Sequence, residues 1–89
     1  MSELIQQFKS NIDHVFLFHS KLRLATIAQH SPNFDLAQEE QLEHISLKFS
    51  AVADYFLYKY LEVSPAKSNL KLLEDYIAEK SLALYFLQP

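Results

Sequence analysis

Apolar residues recur along this chain at steps of three and four, in three runs. Ile5, Phe8, Ile12, Val15, His19 and Leu22 mark the first, with the histidine inside the stripe. Leu42, Ile45, Phe49, Val52, Phe56 and Tyr60 mark the second, and Leu70, Leu73, Ile77 and Leu84 the third. This spacing keeps side chains on one face of a 3.6-residue repeat and predicts helices rather than strands. The helices are expected over about residues 3–30, 36–62 and 65–87, in a single domain. Ser2 is the expected N-cap of the first. Pro32 and Asn33 in "HSPNFD" break the chain, and Asp35 then caps the second helix with Gln38 as its capping-box partner. Glu39 and Glu40 suit the positive end of that helix's dipole. Ser64 and Pro65 are expected to start the third helix, with the proline at its first position. Short connections make neighbours antiparallel, so the fold class is all-α, an up-down bundle of three helices.

The apolar pattern exceeds what such a bundle needs. In "DYFLYKYLE", Phe56 and Tyr60 continue the core stripe, Tyr55 lies about 100° round from Phe56, and Tyr58 lies on nearly the opposite side. Leu57 and Leu61 fill much of the remaining arc. "VFLFH" places Phe16, Leu17 and Phe18 in succession, and "LALYFL" carries Tyr85 and Phe86 near the end of the sequence. Helices apolar all round are enclosed on several sides, and tyrosine and phenylalanine are typical interface residues. The expected interface is therefore Phe16, Phe18, Tyr55, Tyr58, Tyr85 and Phe86, with Asp54 just ahead of the rings. The bundle is expected to be completed by a second copy, as a homodimer, and to meet a protein partner.

Composition narrows the classes. The 89 residues include no Gly and no Cys. Without glycine, hairpin folds, dinucleotide fingerprints and phosphate-cradling loops are all but excluded. Without cysteine there is neither a disulfide framework nor a thiolate metal site, which is compatible with a cytoplasmic location. "MSELIQQFKSNID" does not read as a signal peptide, and no apolar run approaches a membrane span. The formal net charge is −3, and Arg23 is the sole arginine. With no cluster of Lys and Arg, neither DNA nor RNA is an expected partner.

Candidate chemistry is sparse. Arg23 and His30 would suit a metal-independent ribonuclease site, the histidine as acid/base and the arginine on phosphate. Their seven-residue separation aligns them only loosely, and a helix C-terminus already accounts for His30. Glu40 and His44, at i and i+4, are two ligands and no site, so neither a metal nor a cofactor is expected. His19 reads as a buried, hydrogen-bonded histidine, and His14 has no nearby partner in sequence. Asp54 either bonds across a bundle interface or faces water. Glu74, Asp75 and Glu79, with Lys67, Lys71 and Lys80 nearby, read as a solvated face carrying weak ion pairs.

The segment "LEHISLKFSAVADYFLYKYLE", residues 42–62, resembles the HepT-like branch of the HEPN superfamily, related to substrate-binding subunits of small nucleotidyltransferases. Ile45, Phe49, Ser50 and Asp54 stand at the family's apolar, phenylalanine, small and acidic places, and Lys48 precedes Phe49. "NLKLLEDYIAEKSLAL" looks like the family's third helix. The resemblance implies a dimeric all-α bundle that pairs with an antitoxin-type nucleotidyltransferase; some members are RNA-cutting toxins. The family's Arg-to-His ribonuclease motif belongs on a later helix, for which no segment is present here. Arg23 and His30 sit on the first helix, so the catalytic role is not carried onto them. The expected function is a non-enzymatic interaction protein. The alternatives are a small ribonuclease toxin and a structural or regulatory subunit of an unrelated assembly.

Overall fold

Residues 3–29, 36–64 and 67–88 are described by a computed structural model. Helix α1 spans Glu3–Gln29, α2 Leu36–Val63 and α3 Leu70–Tyr85, with a short 3-10 turn at Lys67–Asn69. There is no strand among the described residues. The chain is a three-helix bundle drawn out to 48 Å by 18 Å by 15 Å. That length follows from α1 and α2, each about 40 Å at 1.5 Å per residue. Phe8, early in α1, meets Tyr60, late in α2, with ring centroids 5.9 Å apart. Further along, Phe16 meets Phe49 edge-on at 6.2 Å.

One cluster joins the three helices: Ile5, Phe8 and Ile12 of α1, Phe49, Ala53 and Tyr60 of α2, and Leu73, Ile77 and Leu84 of α3. All but Ala53 come from the three periodic runs. The rest of each stripe is redistributed. Leu22, assigned to the first stripe, is 42% exposed, whereas its neighbour Arg23 is only 8% exposed. Ser20 is buried too, its hydroxyl donating to the Phe16 carbonyl at 2.7 Å. The side of α1 that carries Phe16, Ser20 and Arg23 faces inward, because α3 packs there. On α2, Ala53 joins the core while Ile45, Val52 and Phe56 remain half-buried.

The third helix starts later than the sequence suggests, at Leu70 instead of residue 65. Three residues of tighter 3-10 turn precede it, a common preface to an α-helix. Asn69 makes no side-chain cap. Its amide donates to the buried Tyr60 hydroxyl at 3.3 Å, giving that ring's polar tip a partner. The expected caps at Ser2 and Asp35, the break at residues 30–35 and Pro65 lie outside the described residues; Ser64, expected to cap the third helix, instead closes the end of α2, its N–H donating to the Tyr60 carbonyl at 2.9 Å. Gln38 is buried, and its Nε2 donates to the Thr26 carbonyl at 3.0 Å, tying the start of α2 to the end of α1. At the other end α3 stops without a left-handed residue, the Phe86 N–H reaching the Leu82 carbonyl at 3.1 Å.

Candidate interaction surface

Five of the seven expected interface residues are exposed rings. Phe18 is 61% exposed, Tyr58 62% and Phe86 63%, with Tyr55 and Tyr85 little less. They do not form one patch. Tyr55 and Tyr58 share α2 with Lys59, whose ammonium lies 5.5 Å and 6.0 Å from their ring centroids. Tyr85 and Phe86 pair edge-on at the end of α3, their centroids 5.1 Å apart. Phe18 stands against His19 on α1.

Phe16, by contrast, is half-buried and packs against the core, with the Lys80 ammonium 5.2 Å from its ring. Within one copy it is a core-edge residue. Asp54 is exposed and makes no ion pair among the described residues. In the segment that carries the family resemblance, Phe49 is fully buried, Ser50 is half-buried and Asp54 points to water.

Arg23 is held by main-chain groups of both other helices. Its Nη1 donates to the Leu42 carbonyl at 3.2 Å, and its Nη2 to the Tyr85 carbonyl at 2.6 Å. Tyr85 closes α3, so its carbonyl is one of the last-turn acceptors that lack an intrahelical donor. The guanidinium thus caps a helix C-terminus, where the dipole favours a cation. It also lies 5.6 Å from the Tyr85 ring centroid. Burial pulls its pKa below the ordinary guanidinium range, an effect opposed by Tyr85. Nε has no hydrogen-bond partner among the described residues. Beside it, a pocket of about 290 Å³ is lined by Arg23, Glu39, Leu42, Glu43 and Tyr85. The two carboxylates make this pocket unsuited to a phosphate, which the ribonuclease alternative would require. His30 lies outside the described residues.

The remaining candidates take ordinary places. His19 is buried, and its Nδ1 donates to the Val15 carbonyl at 2.9 Å, as expected for a satisfied core histidine. Exposed His14 does the same to Ser10 at 2.8 Å. No group of three or more His, Cys, Asp or Glu able to hold a metal occurs among the described residues. Lys71 and Asp75 pair at 3.8 Å on the solvated face of α3. Lys80 instead reaches Asp13 of α1 at 3.5 Å. Asp13 also accepts a short hydrogen bond from the Tyr76 hydroxyl. Burial and that carboxylate push the Tyr76 pKa up to about 12.

A second pocket lies between α1 and α2. About 160 Å³ in volume, it is walled by apolar Leu4, Phe8, Phe56, Tyr60 and Val63 and by polar Gln7, Asn11 and Lys59. Leu4, Val15, Phe18 and Leu22 of α1 and Ile45, Val52, Phe56 and Val63 of α2 are half-buried or exposed. The periodic runs hold five of these residues but give no sign of which flank α3 leaves open.

Compared with protein-family models, with curated proteins and with solved structures, the chain matches none. No helix among the described residues is long and apolar enough to cross a membrane.

Proposed function

We propose that this chain is a non-enzymatic helical interaction protein, an antiparallel up-down bundle that forms a homodimer and docks a protein partner. The observation that carries this reading is the amount of ring surface left to water: Phe18, Tyr55, Tyr58, Tyr85 and Phe86 are each more than half exposed on a chain of 89 residues. Large aromatics at such positions add little to the fold of one copy. They supply rigid contact area to an interface. The pairing of Phe8 with Tyr60 and of Phe16 with Phe49 supports an antiparallel α1–α2 pair, since rising numbers on one helix meet falling numbers on the other.

Arg23 favours this reading over a ribonuclease. Both of its terminal nitrogens are held by main-chain carbonyls, so it serves as a tie between helices. The resemblance at residues 42–62 suggests the partner's class, a small nucleotidyltransferase, in a toxin–antitoxin-like pair in the cytoplasm. Two measurements test the proposal. The native mass of the pure protein is expected to be that of a dimer at low micromolar concentration. Co-expression with candidate nucleotidyltransferases is expected to yield a stoichiometric complex, whereas capture of none of them would remove that class of partner.

A further inference from the structure

The buried polar groups of this bundle gather at one end. Among the described residues the buried polar side chains are His19, Ser20, Arg23 and Gln38, from the later part of α1 and the start of α2. The core around Ile5, Phe8, Ile12, Leu73 and Ile77 is apolar instead. The last turns of α3 therefore dock against the polar end, and little holds them there. Beyond Ile77, Leu84 is the only buried residue among the described positions of α3. The other anchor is Arg23, whose Nη2 donates to the Tyr85 carbonyl at 2.6 Å.

That anchor is electrostatically unsatisfied. Arg23 is buried, yet it makes no ion pair among the described residues, and its Nε makes no hydrogen bond. Desolvation disfavours a buried charge that lacks a counter-ion. Two carboxylates stand on the wall of the same pocket of about 290 Å³: Glu39 and Glu43, one helical turn apart on α2 and both exposed. Neither is paired with a cation among the described residues. The pocket gives the guanidinium room to turn toward them.

We propose that Arg23 is a release catch for the end of α3. In the closed state it holds the Leu42 and Tyr85 carbonyls, and α3 is docked through Leu84. In the open state the guanidinium turns into the pocket onto Glu39 and Glu43. The Tyr85 carbonyl returns to water, and the last turns of α3 come away, uncovering Leu84 beside the exposed Tyr85 and Phe86. Charge-assisted hydrogen bonds are roughly twice as strong as neutral ones, which offsets the lost burial of Leu84. A partner that grips Leu84 together with Tyr85 and Phe86 shifts the balance toward the open state, because it binds that state better. The catch does not depend on the homodimer reading.

Nuclear magnetic resonance of the full chain tests this. The chain has a single arginine, so the Nε–H of Arg23 gives one assignable signal. Nitrogen relaxation dispersion reads motions on the microsecond to millisecond scale of such releases. Arg23 Nε and the amides of residues 84–87 are expected to exchange at one common rate, in a process that the Leu73 and Ile77 amides do not share. Glu39→Ala combined with Glu43→Ala removes the open-state acceptors at exposed helix positions that alanine suits. This double variant is expected to lower the minor population roughly 5-fold, the loss of an ion pair of ordinary strength. Glu40→Ala, beside Glu39 but off the pocket wall, is expected to leave it unchanged. Fraying of α3 alone would leave Arg23 Nε without dispersion, whatever the 84–87 amides do. That result, or a double variant with an unaltered minor population, would overturn the catch.

Discussion

Arg23 shows how one side chain fixes the arrangement of three helices. From α1 it donates to carbonyls of α2 and α3 with two nitrogens of a planar fork, a geometry that lysine's single ammonium does not reproduce. Arg23→Ala leaves the Tyr85 carbonyl without this donor and opens a void beside Leu42. The expected loss is about 2–3 kcal/mol, with Arg23→Lys retaining part of it, read from urea unfolding curves. Tyr76 gives a pH signature. Its pKa is raised from the ordinary 10.0 to about 12 by burial and by Asp13. Below pH 10 the phenol is protonated in both the folded and the unfolded chain, and its contribution is fully present. Between pH 10 and about 12 the unfolded chain loses this proton first, so stability falls as pH rises. Tyr76→Phe is expected to remove that share of the slope, measured by denaturation across this range. Neither role is legible in the sequence. Arg23 lies one residue off the stripe, and the partners Asp13 and Tyr76 are 63 residues apart.

At the scale of elements, the three- and four-step runs give all three helices and most of the shared core. Phe49 sits in the middle of its run and is completely buried. Phe49→Ala is expected to cost about 3–5 kcal/mol, against less than roughly 0.5 kcal/mol for Tyr58→Ala, by the same unfolding assay. The runs leave open how each helix is rotated about its own axis. A wide apolar arc is compatible with a third helix on either flank, and the choice depends on pairings distant in sequence. Small Ser20 and Ala53, together with Arg23 reaching the end of α3, belong to the side that α3 covers. Leu22 is left exposed. The start of α3 is hidden for a similar reason: Ser64 and Pro65 are strong start signals, but a 3-10 turn comes before the α-helix.

For the whole molecule, the sequence holds more aromatics than the shared core takes in, without showing where the rest lie. The structure separates the excess into three groups: Phe18 against His19 on α1, Tyr55 and Tyr58 beside Lys59, and Tyr85 with Phe86 at the end of α3. Among the described residues these rings stay more than half exposed. The measurement that bears most directly on this account is the native mass of the purified chain by light scattering on a sizing column, over a range of concentrations. The account predicts twice the 10.4 kDa of one chain, persisting at low micromolar concentration. A mass of 10.4 kDa maintained into the high micromolar range would contradict it.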